Sequence, residues 1–110
     1  MNIKYKNKNI EVCVKKVSFF GKFIGLMFRT KNTSNLLFDF RKNFILAIHS
    51  YFVFFDFLAI WVDENNNVLD FKMVKPFSIN VCPKLPFTKL VEIPFNDKNK
   101  KIIEFFVGKR

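Results

Sequence analysis

Four side chains in this sequence have the types and surroundings from which a site could be built: Arg29, His49, Asp56 and Lys75. Asp56 is the most informative, because it stands inside Phe54-Phe55-Asp56-Phe57-Leu58. A carboxylate among aromatic residues must meet a cation or have its pKa raised. Arg29 and Lys75 are the candidate partners, and the aspartate could equally mark a tight bend between two strands. Arg29 closes an apolar segment. At a helix C-terminus its charge would complement the helix dipole, and at a pocket mouth its guanidinium would hold an anion through paired hydrogen bonds. His49 shares a strand face with Ala47 and Tyr51, where a histidine is ordinarily a satisfied core residue. As a general base it needs an orienting acid. Asp56, if the strand runs straight, lies about 23 Å along it, so that acid must come from another strand.

Several chemistries have no support. The chain carries no G-x-S-x-G elbow, no phosphate-cradling glycine loop and no paired metal ligands. With a single histidine, a zinc site is not expected. Cys13 and Cys82 lie far apart without C-x-x-C spacing, and Val12-Cys13-Val14 suits a half-buried thiol. Both read as free thiols of a reducing, cytoplasmic compartment. No catalytic set, cofactor or metal is implied.

The formal charge of +10 invites nucleic acid, anionic lipid or an acidic partner. Lys4, Lys6, Lys8, Lys15 and Lys16 near the start, with Lys98, Lys100, Lys101, Lys109 and Arg110 near the end, would have to converge for a nucleic-acid surface, with exposed aromatics stacking on bases. Against that, sixteen of the nineteen basic residues are lysine. Lysine, asparagine, isoleucine and phenylalanine are all encoded by A/T-rich codons, so codon composition explains the same charge.

The elements that must position these residues are mostly strands. At 110 residues, half of them apolar, the chain suits one domain spanning 1–110 with its own core. Its seventeen phenylalanines pack well on pleated surfaces. Residues 9–17 alternate as a half-exposed strand, with Ile10, Val12 and Val14 on one face. Ser18 then offers an N-cap, and Phe20, Phe23, Ile24, Met27 and Phe28 fall at helical spacing, predicting a short helix near 19–29. Gly21 and Gly25, four apart, suit close approach of another backbone. Residues 36–40, 44–55, 57–62, 68–74, 88–93 and 102–107 read as further strands, with a polar connection over 94–101. Asp63 to Asn67 is a hairpin turn, with Asp63 as its cap.

Residues 44–62 are apolar enough to resemble a membrane helix. His49 and Asp56 would sit deep inside it, and an acid at mid-membrane costs about 3 kcal/mol. The run is also rich in β-branched and aromatic residues. It reads instead as two adjacent interior strands. The fold class is therefore mainly β (α+β), a compact rolled or barrel-like antiparallel sheet with one short helix.

In that order the segments form a familiar set. Gly25-Leu26-Met27-Phe28-Arg29, Leu36 to Phe40, Ile48 to Phe52, Trp61-Val62-Asp63 with its turn, Lys75-Pro76-Phe77 and Lys89 to Pro94 together resemble the domain-of-unknown-function 192 family, also called uncharacterised protein family 0127, in its short archaeal form. The resemblance spans roughly residues 9–108 and implies a compact barrel-like β domain with no established activity. Two positions depart from it. Asp56-Phe57-Leu58 stands where the family often has Pro-Ile/Leu-Asp, and Gly108-Lys109 where it has Gly-Asp.

Taken together, these features predict a non-enzymatic module binding a small polar ligand or a protein segment, with Arg29, His49, Asp56 and Lys75 at its site. Nucleic-acid binding through the basic surface and a hydrolytic enzyme using Asp56 and His49 are the alternatives.

Overall fold

A computed structural model describes residues 1–17, 29–44, 53–78 and 81–108. Its frame is a five-stranded sheet with the spatial order β3-β4-β7-β5-β6. The strands are β3 (Val14–Lys16), β4 (Asn35–Phe44), β5 (Phe57–Val62), β6 (Val68–Val74) and β7 (Phe87–Pro94). β1 (Asn2–Tyr5) and β2 (Lys8–Glu11) form a separate two-stranded antiparallel sheet. A 3-10 turn, Asp97–Asn99, leads into the helix α1, Lys100–Val107.

β5 is buried at every position, and β7 at all but Lys89. Alternation sends Phe57, Ala59 and Trp61 to one face of the sheet and Leu58, Ile60 and Val62 to the other. Neither face can meet water, so each is covered. Ile3 and Val12 from the N-terminal hairpin region and Ile103 and Phe106 from α1 pack on the Leu58 face. Val17, Val53, Phe55 and Val81 pack on the Trp61 face. β3 runs parallel to β4, while β4 and β5 are both antiparallel to β7. Both the β3–β4 and β4–β5 connections therefore join strands that point the same way, which requires a crossover rather than a tight turn.

The mainly β reading holds, and among the described residues the sheet is open rather than closed, with β3 and β6 at its edges. Lys15 and Lys16 are exposed on β3, a charge pattern that discourages edge-to-edge pairing. On the other side, a bridge from Lys4 to Asn67 brings β1 to the start of β6. The interior strand expected at 57–62 is β5, which rules out a single helix across 44–62. Among the described residues no helix is long and apolar enough to cross a membrane. The hairpin turn after β5 is as expected. Asp63 accepts from the backbone N–H of Asn65 and Asn67, both at 2.9 Å, and Asn66 takes a positive φ of 66°.

Other expectations need correction. Residues 102–107 are helical, not a last strand. The doublets Ile102-Ile103 and Phe105-Phe106 do not alternate; they place Ile103 and Phe106 three apart on one buried helix stripe. Asn96 starts the turn by accepting from Asn99 N, and Gly108 ends the helix at φ 81° with its N–H on Glu104 O. The single strand over 9–17 is broken at Val12-Cys13, where Val12 N donates to Met1 O and Cys13 O accepts from Asn35 Nδ2. Cys13 is accordingly exposed rather than half-buried. The short strand at 36–40 extends to Phe44, and Val53 to Asp56 are not strand. The hairpin of β1 and β2 had its signal in Lys6-Asn7, a two-residue turn with φ of 50° and 65° as a type I′ loop requires. The helix expected near 19–29, Ser18, Gly21 and Gly25 lie outside the described residues, as does most of 44–55; Arg29 is described and is not helical.

Ile103 is fully buried between α1 and the Leu58 face. Ile103→Ala is expected to lower unfolding stability by roughly 2–5 kcal/mol, read from the urea midpoint. A midpoint equal to that of the unmodified protein would show that α1 does not seal this face.

Candidate functional site

The sheet's register gathers the candidate residues at one end. Val14 pairs with Asn35, Phe57 with Pro94 and Val74 with Phe57. The starts of β3, β4 and β5 and the ends of β6 and β7 therefore lie along a single edge of the framework. Thr33 precedes β4, Asp56 precedes β5, Lys75 follows β6 and Asn96 follows β7.

A half-open groove of about 460 Å³ lies at this end, lined from β3, β4 and the turn before α1. Its base is a set of asparagines that hold one another. Asn99 Nδ2 donates to Asn35 Oδ1 at 2.9 Å and to Pro94 O at 2.8 Å. Asn35 Nδ2 donates to Cys13 O at 2.9 Å, and Asn96 Nδ2 donates to Lys31 O at 2.7 Å. Asn35, Asn96 and Asn99 are all buried. Buried amides satisfied in this way are fixed in orientation, and they tie β3, β4, β7 and α1 at one point. Over that base, Thr33, Ser34, Lys15 and Lys98 line the wall. Glu11 also lines it, with its carboxylate 3.2 Å from the Met1 amino group. Arg29 reaches the same place, since its Nη1 lies 3.4 Å from Thr33 Oγ1.

Asp56 and Lys75 do meet. Lys75 Nζ lies 3.3 Å from Asp56 Oδ2. The lysine side chain is 69% exposed and the aspartate 29%, so the pair is solvent-screened and adds little stability. The Asp56 carbonyl accepts from Phe95 N at 2.9 Å, which fixes the entry to β5 beside Asn96. Arg29 belongs with Thr33 at the groove, and Asp56 and Lys75 form a second group at the same end. His49 lies outside the described residues. Asp63 is the hairpin cap: burial pushes its carboxyl up, but hydrogen bonds from Asn67 and Asn65 and the charge of Lys4 outweigh this and hold it low. Among the described residues, no three or more of His, Cys, Asp and Glu come together as a metal site requires.

The most perturbed group escaped the sequence reading. Glu92 is buried in β7, directly opposite Leu36 and Ala59 and on the Trp61 face. Burial pushes its carboxyl up to about 8. Trp61 Nε1, on the same face, is buried with no hydrogen-bond partner among the described residues. The signal for Glu92 was its place in Leu90-Val91-Glu92-Ile93-Pro94, where alternation puts it with Leu90 in the interior.

Comparison with known proteins agrees with the architecture. The DUF192 family, described as "Uncharacterized ACR", matches residues 2–104, and the chain belongs to it. No curated protein matches the chain. Two solved structures share its fold with a TM-score of 0.74 each. One is a candidate transcription regulator from Sinorhizobium meliloti 1021, 16% identical, the match covering 92% of this chain and 81% of that one. The other is a protein of unknown function from Novosphingobium aromaticivorans DSM 12444, 13% identical, covering 92% and 75%. At these identities the likeness concerns the fold alone.

Glu92 makes stability depend on pH with a defined sign. The folded chain holds a proton from the ordinary value of 4.5 up to about 8, while the unfolded chain releases it. Stability from this group is full below 4.5 and is lost as pH rises through that window, on the order of 1.4 kcal/mol per unit. The melting temperature should fall between pH 5 and pH 8, and Glu92→Gln should flatten the fall. Parallel pH profiles for the two proteins would mean that Glu92 is ionised in the folded state.

Proposed function

We propose that this member of the DUF192 family is a non-enzymatic binding module, cytoplasmic and folded as one domain, that holds a small polar anion in the groove at the sheet end. The observation carrying this reading is the groove itself. Its volume of about 460 Å³ falls in the range of small-molecule sites. Its base is locked by mutually bonded amides, so a ligand would meet a preorganised surface. Two ammonium groups, Lys15 and Lys98, line the wall, and the Arg29 guanidinium reaches Thr33 beside them. Among the described residues the one lining carboxylate, Glu11, already has a cationic neighbour in the Met1 amino group. Positive charge without a matching excess of carboxylates favours an anionic ligand. Asp56 and Lys75, at the same end, belong to the rim in this reading, and His49 remains part of the proposed set.

A second reading, nucleic-acid binding through the basic surface, gains support from one feature. The lysines of the first and last segments approach each other, because Tyr5 of β1 and Phe105 of α1 are in edge contact at 6.1 Å. That surface lies on the hairpin and α1 rather than in the groove. The Sinorhizobium protein of like fold, a candidate transcription regulator, is in keeping with it.

The groove is tested by NMR titration with phosphate, citrate and mononucleotides. Amide shifts are expected at Thr33, Ser34 and Asn35 and in the 3-10 turn. Lys98→Ala and Arg29→Ala should each weaken binding by about tenfold, the worth of one charge-assisted hydrogen bond. Equal binding of neutral analogues, or shifts confined to other surfaces, would sink the anion reading.

A further inference from the structure

The outer surface of the N-terminal hairpin and α1 carries rings and lysines in alternation. Tyr5, Phe71, Phe105 and Phe106 form one aromatic cluster, with Tyr5–Phe106 centroids at 5.2 Å and Phe71–Phe106 centroids at 5.1 Å. Phe106 turns inward, while Phe105 is 39% exposed. Lys6 Nζ lies 5.3 Å from the Tyr5 ring and Lys8 Nζ 5.7 Å from the Phe105 ring. Lys101, one helical turn before Phe105, is exposed on the same stripe of α1. The left-handed Lys6-Asn7 turn closes the hairpin in two residues and keeps Tyr5 and Lys8 opposite each other, so both side chains start from a fixed backbone register.

From this juxtaposition we propose that the β1–β2 hairpin and α1 form a platform for single-stranded nucleic acid, with bases stacking on Phe105 and Tyr5 and phosphates on Lys6, Lys8 and Lys101. The proposal rests on the nucleic-acid reading above and specifies which strands and which contacts. Base stacking on aromatic rings with lysines tracking the backbone is the physical mode of sequence-tolerant single-strand binding. Duplex readers instead place a helix or a two-stranded ribbon in the major groove, where polar side chains meet base edges. Here α1 packs Ile103 and Phe106 into the core and turns Lys101 and the Phe105 ring outward, side chains suited to phosphates and to the face of an unpaired base. The ammonium groups now over the rings are on exposed, flexible lysines, and a base taking that face would leave each free to meet an adjoining phosphate. Glu104, the neighbouring carboxylate on α1, is three residues from Lys101 and limits the positive field on that side.

The test is fluorescence anisotropy with labelled twelve-nucleotide dT and U strands over a salt series, beside a duplex of equal length and a polyglutamate competitor. Three phosphate contacts predict a log–log salt slope near about −2, and Lys8→Gln should reduce it by about 0.7. Phe105→Leu keeps the apolar cover of Phe106 but removes the ring, and should weaken single-strand binding by about tenfold or more with the slope unchanged. Whichever of dT and U binds more tightly identifies DNA or RNA as the source. If Phe105→Leu binds like the unmodified protein while the salt slope persists, the stacking platform is wrong and the basic-surface reading stands. If the duplex binds as tightly, or polyglutamate competes mole for mole, the single-strand assignment falls. No binding at low salt ends both.

Discussion

Everything in this molecule follows from two central strands, one buried at every position and the other at all but Lys89. β7 and β5 lie side by side at the centre of the sheet, and β5 has a large apolar side chain or an alanine at every position on both faces. Such a pair stays folded only if both faces are covered. The hairpin and α1 cover one, and Val17, Val53, Phe55 and Val81 pack on the other. The central pair also fixes where function can be placed, because the register brings the starts of β3, β4 and β5 and the ends of β6 and β7 to the same edge. Polar residues collect there, beside the end of β5, a strand that is itself apolar throughout.

Polar groups inside the framework are of two kinds, and the difference is instructive. Asn35, Asn96 and Asn99 are buried but bonded to one another and to backbone carbonyls, so they act as a joint. Glu92 and Trp61 Nε1 are buried on the Trp61 face of the sheet: desolvation pushes the carboxyl up to about 8, and the indole N–H has no partner among the described residues. An amide costs little when its donors and acceptors are met, whereas an unmet buried group carries its full desolvation penalty. The groove is accordingly fixed where it is polar.

The resemblance to the DUF192 family was legible in Leu36 to Phe40, Trp61-Val62-Asp63 and Lys89 to Pro94, because each of these is a strand or turn whose pattern is local. β5, β6, β7 and the Asp63 turn were likewise readable, since alternation and asparagine-rich turn chemistry act over a few residues. The C-terminal helix was misread because paired isoleucines and paired phenylalanines satisfy neither period strictly over six residues. The deciding signals, the Asn96 cap and Gly108, lay outside the apolar run. Of the candidate site, the Asp56–Lys75 pair was anticipated, and the asparagine joint was not, for it links residues up to 65 apart in sequence.

By itself the sequence determined composition, charge and which segments alternate, and hence that the chain is built mainly of strands around an aromatic, aliphatic interior. Those properties are set by side-chain chemistry and local backbone preference. Tertiary structure alone decided strand order, the parallel β3–β4 pair, the open sheet edges and the meeting of Asn99 with Asn35 and of Lys8 with Phe105. Long-range pairing depends on which faces can be buried together, and no short window of sequence holds that information.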